Sequence, residues 1–189
     1  MSHIYLKRLQ DHINIFSKLS DFGSSLDEVA VKIADSLSAG GKLLLCGNGG
    51  SAADCQHLAA EFTGRFIHDR KPLAALSLTT DTSALTCISN DYSFDEVFSR
   101  QILALGRSGD CLLIISTSGN SENVIRAVVA AKALNILTIG FLGKSGGRLM
   151  SLCDIPVVVP SETTARIQEA HIFFSHIVCE LVEIKLGLA

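Results

Sequence analysis

The amino-acid sequence predicts an α/β protein built on a doubly wound sheet of about five parallel strands. Five short apolar runs recur along the chain, and segments with helical spacing lie between them. The runs are continuously apolar rather than alternating, which is typical of strands that helices cover on both faces. Together these observations favour a parallel sheet with helices on both sides.

The chain opens with two predicted helices over residues 4–38. In the second of them, Leu26, Val29, Ile33 and Leu37 recur every three or four residues, as on one face of a helix. The pair precedes the first strand, so we expect it to lie outside the sheet layers and to pack against a partner chain.

The predicted strands and remaining helices then alternate along the chain. The strands are residues 43–46, 73–78, 111–115, 136–141 and 155–159. The helices lie near 51–66, 94–105, 121–134 and 162–186. Pro156 indicates that the last strand is at an edge of the sheet, because proline cannot donate to a neighbouring strand. We expect one domain over residues 1–189, with no second domain boundary or repeat.

The composition predicts a folded cytoplasmic protein. Apolar residues make up 48% of the 189 residues and charged residues 19%, which excludes a disordered chain. The net charge of -3 without a Lys/Arg cluster argues against a broad nucleic-acid surface. No apolar run approaches the ~20 residues of a membrane helix, and we expect no signal peptide. The six cysteines form no Cys-x-x-Cys pair, so we expect reduced, buried thiols.

The first strand ends in a glycine-rich loop, Gly47-Asn48-Gly49-Gly50-Ser51. Glycines allow a tight turn and a close approach of the backbone to a ligand. We expect Ser51 to cap the following helix, whose free N–H groups favour an anion. The loop is neither a Gly-x-Gly-x-x-Gly nor a Walker A motif, and an ordinary strand-to-helix turn is the alternative interpretation.

The third strand ends in a loop rich in hydroxyl groups. Residues 116–121 read Ser-Thr-Ser-Gly-Asn-Ser. Hydroxyls together with helix N–H groups can surround a phosphate without Lys or Arg. A serine-rich helix cap would account for one or two of these hydroxyls but not for four, so the loop predicts a phosphate site.

Two helices carry candidate acid–base or metal groups. His57 and Glu61 are four residues apart, so they project from one helix face. Three interpretations are open: an ordinary pair on the helix surface, two ligands of a metal ion, or an acid and a base for catalysis. His176 lies among apolar residues, which also fits a core histidine. Gln168 lies about 12 Å before His176 along the helix axis. Gln168 and His176 could therefore bind one metal ion only if both side chains reach it obliquely or if they come from different subunits.

Asn90 and Asp91 are expected in a turn after an apolar-periodic stretch. They fit hydrogen bonds to sugar hydroxyls and, equally, an Asx turn that ends a helix.

Taken together, these motifs resemble those of the sugar-isomerase (SIS) domain superfamily. The Ser-Thr-Ser-Gly-Asn-Ser loop carries that likeness. The stretch 46–51, the His57-x-x-x-Glu61 pair, Asn90-Asp91 and the run Arg-Ile-Gln-Glu-x-His over 166–171 resemble the sedoheptulose 7-phosphate isomerase (phosphoheptose isomerase) family within it. The resemblance covers nearly the whole chain.

The resemblance implies a SIS-type five-stranded sheet and a homotetramer with active sites at subunit contacts, in which the helical pair 1–38 is used. It implies conversion of D-sedoheptulose 7-phosphate to D-glycero-D-manno-heptose 7-phosphate. That reaction is the first step toward nucleotide-activated heptose for lipopolysaccharide core or capsule. It also implies that one Zn²⁺ per subunit can be held by His57, Glu61, Gln168 and His176.

The residues implied to bind the substrate fall into groups by role. The sugar would contact Asn48, Gly49, Gly50, Glu61, Asn90, Asp91 and Gln168, and the phosphate would be held by Ser51, Ser116, Thr117, Ser118 and Ser121. Ketose–aldose isomerisation moves a proton between adjacent carbons and needs a base and an acid. We assign the base to Glu61 and the acid to His176.

Two other functions compete with the isomerase. Non-catalytic SIS proteins that bind a replication initiator share both loops but lack the carboxylate and the imidazole that Glu61 and His176 supply here. A sugar-phosphate-sensing or ether-cleaving SIS protein is the third hypothesis, and a short chain without a DNA-binding appendage weighs against a sensor. Ala165 stands where some isomerases carry an acidic residue, a departure that bears on one polar contact and not on the reaction.

Overall fold

A computed structural model describes residues 3–189, and the first two residues of the predicted domain lie outside the described residues. The strands of this range are β1 (Leu43–Gly47), β2 (Ala75–Ser77), β3 (Cys111–Ser116), β4 (Leu137–Gly143) and β5 (Ile155–Val159). They form one sheet in the order β2-β1-β3-β4-β5, and every neighbouring pair is parallel. The predicted fold class is therefore confirmed.

Helices connect and cover the strands. The α-helices of the described range are α1 (His3–Phe16), α2 (Gly23–Ser38), α3 (Gly50–Thr63), α4 (Thr82–Asp91), α5 (Val97–Leu105), α6 (Glu122–Ala133), α7 (Leu149–Leu152) and α8 (Thr164–Lys185). None of these helices is both long and apolar enough to cross a membrane.

Each face of the sheet has its own apolar core. Residues of α2, α3 and α8 pack on one face, with Val29, Phe62 and Phe174 fully or almost fully buried. Residues of α5 and α6 pack on the other face around Ile102 and Val128. All residues of β1 and β3 are buried, which is why their sequences are apolar without alternation.

The lengths of two strands differ from those predicted. The strand predicted over 73–78 is reduced to three residues, because only Ala75–Ser77 pair with β1, while the Leu73 N–H donates to the Phe62 carbonyl at the end of α3. The strand predicted over 136–141 extends to Gly143, because its end pairs with Val159 of β5. β5 is the opposite edge, as Pro156 indicates, and that proline is exposed.

Three helical predictions were wrong in part. α2 does not lie outside the sheet layers, since Val29 and Ile33 pack into the core of the sheet. α4 was not predicted as a helix, because none of its residues is fully buried and only Leu85 and Ile88 pack against the core, so its apolar stripe is short. The helix predicted over 94–105 begins as a 3₁₀ turn, Phe94–Glu96, before α5.

Candidate active site

The two candidate ligand loops lie side by side at the carboxyl edge of the sheet. They follow β1 and β3, which are neighbours in the sheet, and the helices that continue from them, α3 and α6, pack on opposite faces. Between such strands a parallel sheet opens a crevice, which is where ligands bind in this class of fold.

The glycine-rich loop turns sharply into α3. Gly49 has a φ of +58° and precedes the helix, which begins at Gly50 without a side-chain cap. The prediction that Ser51 is the cap was therefore wrong; Ser51 lies within the first turn and is 4% exposed. A Cβ atom on Gly50 would lie 2.3 Å from Nε2 of Gln168, so the missing side chain lets Gln168 reach the loop.

The hydroxyl-rich loop is held by its own side chains. Oγ of Ser116 accepts a hydrogen bond from the Gly119 N–H, and Oγ of Ser118 accepts one from the Asn120 N–H, each at 3.2 Å. Ser121 precedes α6 but makes no capping hydrogen bond. Two of the four hydroxyls are therefore bound within the loop, and the phosphate site at the start of α6 stays a prediction.

An amide pair joins the two loops directly. Nδ2 of Asn48 donates to Oδ1 of Asn123, and Nδ2 of Asn123 donates to Oδ1 of Asn48, both at 2.9 Å. Asn123 lies in the first turn of α6 and is 3% exposed. Sequence reasoning missed it, because nothing in its local sequence marks a partner on another loop.

The predicted base and acid come together within one chain. Nε2 of His57 lies 3.4 Å from Oε1 of Glu61 and 3.0 Å from Nε2 of His176. The rings of the two histidines meet edge to face, with centroids 5.2 Å apart. His176 is half-buried and faces another polar side chain, so the interpretation as a core histidine was wrong.

Two neighbours shape this cluster without having been predicted. The ring of Phe66 stacks on His176 at a centroid distance of 5.5 Å. Partial burial raises the pKa of Asp54, an effect that the charges of His57 and His176 partly offset. Asp54 lies three residues before His57 on α3, so helical spacing is the signal that could have identified it.

Gln168 belongs to the other end of the same helix pair. α8 is continuous from Thr164 to Lys185, with Gln168 against Gly50 and His176 against His57. Within residues 3–189, no three His, Cys, Asp or Glu side chains surround a common position for a metal ion.

The turn predicted at Asn90 and Asp91 was wrong, since both residues are exposed and are the last two of α4. Nδ2 of Asn90 donates to Oδ1 of Asp91 at 2.9 Å, and the hydrogen bonds from Asn90 and Cys87 lower the pKa of the Asp91 carboxyl. A cavity of about 140 Å³ separates the glycine-rich loop from α4, with Leu85 of α4 on its wall. Asn90 and Asp91 do not line that cavity.

Comparison with known proteins agrees with this geometry. Residues 8–143 match the SIS domain family, so the fold and the two loops define a SIS-domain protein. The chain is 53% identical to the phosphoheptose isomerase of Campylobacter concisus over 93% of each chain. It is 50% identical to that of Aliarcobacter butzleri over 99% of this chain and 100% of the other.

Solved structures give the same result. The phosphoheptose isomerase from Neisseria gonorrhoeae superposes with a TM-score of 0.91 at 44% identity, over 95% of this chain and 97% of that one. The phosphoheptose isomerase from Francisella tularensis superposes with a TM-score of 0.93 at 34% identity, over 97% of this chain and 100% of that one. This chain belongs to the phosphoheptose isomerase family, which confirms the resemblance.

Proposed function

We propose that this chain isomerises D-sedoheptulose 7-phosphate to D-glycero-D-manno-heptose 7-phosphate, the first step toward nucleotide-activated heptose for lipopolysaccharide core or capsule. The observation that carries the proposal is the approach of Glu61 and His176 to the same histidine, His57. These residues come from distant parts of the chain, and a scaffold that only holds a ligand has no need of them.

The two loops are assigned to the phosphate. The Thr117 and Ser121 hydroxyls and the start of α6 lie at the carboxyl edge of the sheet, where N–H groups and hydroxyls favour an anion. The amide pair between Asn48 and Asn123 fixes the distance between the two loops. A dianionic phosphate held there would anchor one end of the sugar and leave its carbonyl end free to reach the acid–base groups.

The proton transfers follow from the two side chains. Glu61 removes a proton from C1 of the ketose while His176 gives a proton to the carbonyl oxygen at C2, which produces an enediol. Return of the proton to C2 and loss of the proton on the C1 oxygen complete the aldose. Positioned acids and bases each contribute about 10²–10⁴ to such a rate.

A zinc ion fits part of this cluster. The His57–His176 and His57–Glu61 separations of 3.0 and 3.4 Å are close to those between neighbouring ligands of a tetrahedral zinc with bonds of about 2.0–2.2 Å. Gln168 lies against Gly50, at the other end of the helix pair. Because His57, Glu61 and His176 surround no common metal position among residues 3–189, we propose that a bound zinc ion would draw these three side chains together as its ligands from one chain.

When bound, zinc would polarise the substrate carbonyl as a Lewis acid. A carboxylate that ligates a metal is a weaker base, so the two roles of Glu61 compete.

The active form is proposed to be a homotetramer. Ile4, Tyr5, Leu6 and Ile13 of α1 expose between 48% and 62% of their surface, and contiguous exposed apolar patches mark interaction surfaces.

The proposed compartment is the cytoplasm. All six cysteines are free thiols in the described chain, as in proteins kept in a reducing environment.

A coupled assay with sedoheptulose 7-phosphate, with and without a chelator, tests the proposed reaction. We expect turnover of the wild-type chain and a lower rate after chelation. A folded chain that binds the ketose phosphate without converting it, even with added zinc, would instead support the non-catalytic alternative.

A further inference from the structure

A buried ion pair lies directly behind the acid–base cluster. Nε of Arg70 donates to Oε1 of Glu183 at 2.6 Å, and the two side chains are 2% and 1% exposed. Oε2 of Glu183 is buried without a partner. Burying such a pair costs desolvation energy that an apolar pair of the same shape would avoid, so stability alone is a weak reason for its presence.

Arg70 fastens the end of α3 that carries Glu61. Its guanidinium donates to the carbonyl oxygens of Glu61 and Phe62, each at 2.8 Å. Glu61 lies in the last turn of α3, which ends at Thr63. The carbonyls of a last turn have no partner within their own helix, and a turn without such partners frays most easily.

Glu183 fastens the segment that supports His176. The carboxylate that pairs with Arg70 also accepts a hydrogen bond from the Phe66 N–H at 3.2 Å. The Phe66 ring stacks on His176 with the ring planes 26° apart. Glu183 itself belongs to α8, the helix of His176. One carboxylate therefore connects the backbone beside Glu61 to the ring that covers His176.

We propose that Arg70 and Glu183 are positioning residues of the isomerase, which hold the Glu61 carboxylate and the His176 imidazole at the separation that proton transfer requires. Neither residue touches the substrate in this account. The proposal rests on the roles proposed above for Glu61 and His176.

The double substitution Arg70→Met with Glu183→Met tests it. Both charges are removed together, so no unpaired buried charge is left to prevent folding. We expect kcat to fall about 100-fold, because a displacement of about 1 Å at a reacting group costs on the order of 10²-fold. KM should change little, because the phosphate loops lie at the other end of α3.

Lys42→Met is the matched control. Lys42 pairs with Asp110 at 2.6 Å, and Asp110 is 2% exposed, but this pair lies at the amino edge of the sheet. We expect a lower Tm with kcat retained. Two results would overturn the proposal. One is a double variant whose kcat stays within about threefold of wild type, and the other is an equal loss of kcat in Lys42→Met when the two variants have the same Tm.

A crystal structure of the double variant separates this proposal from the reaction itself. If the wild-type chain does not turn over the ketose, the proposed function fails, but the positioning role can still be tested. The test is then the distance between Nε2 of His57 and Nε2 of His176 in the double variant. We expect it to increase by about 1 Å or more from 3.0 Å, and an unchanged distance would overturn the proposal. Should the double variant not fold, Glu183→Gln replaces it, with an expected kcat loss of about tenfold and the same criteria.

Discussion

The loop after β3 depends on a glycine that no other residue replaces, and Gly119→Ala tests this directly. Gly119 has a φ of +65°, and an added Cβ atom would lie 1.9 Å from the carbonyl oxygen of Gly146. Carbon and oxygen atoms that are not bonded do not approach so closely, so the two loops that meet here must separate by about 1 Å.

The cost has two parts. Placing an L-residue in the left-handed region costs about 1–2 kcal/mol, and overpacking a rigid contact costs about 1–3 kcal/mol more. A total of about 3 kcal/mol corresponds to a fall in Tm of roughly 6–12 °C for a chain of this length. Because Ser116 and Ser118 hold the same loop, the phosphate site should widen and KM for the sugar phosphate should rise.

Thermal unfolding and steady-state kinetics measure both effects. The control is Gly187→Ala, since Gly187 has a φ of +66° but open space where the Cβ atom would lie. It carries the backbone strain alone, so its Tm should fall by about half as much and its KM should not change. Equal Tm values for the two variants, or an unchanged KM in Gly119→Ala, would refute the reasoning.

Gly50→Ala should raise KM with little change in Tm, because the new methyl group displaces only the flexible end of Gln168; an unchanged KM contradicts this contact. Burial lowers the pKa of His171 to about 4, below its value of about 6.5 in the unfolded chain. The neutral imidazole therefore contributes stability that is complete above pH 6.5 and is lost as the pH falls from 6.5 towards 4. Chemical denaturation across that range should show a steeper loss for wild type than for His171→Gln, and parallel curves would contradict it. Ellman's reagent should label one thiol per native chain, the exposed Cys87, and all six after denaturation; labelling of several native thiols would contradict the described core.

Continuity of the apolar runs was sufficient to predict the sheet, because both faces of β1 and β3 are covered. The apolar patterns of the sequence did not predict elements correctly where a segment is only partly buried. α4 fully buries none of its residues and leaves only a short apolar stripe, and of the apolar run 73–78 only Ala75–Ser77 pair with β1.

Local motifs predicted both candidate ligand loops and the pairing of His57 with Glu61, because each motif lies within a few residues of a strand end or within one helical turn. Contacts between distant segments could not be predicted in this way. Asn123 pairs with a residue on another loop, and Arg70 finds Glu183 only after α3 and α8 are packed side by side. The sequence marks these residues as ordinary polar positions, and their partners are set by the tertiary fold.

In the proposed reaction, Glu61 transfers the proton on a sugar that other residues anchor. Its most direct test is the kcat of Glu61→Gln, measured together with calorimetric binding of sedoheptulose 7-phosphate. We expect kcat to fall by about 10²–10⁴ while the affinity for the ketose phosphate remains within a few-fold of wild type. Undiminished turnover by the folded variant would contradict the assignment.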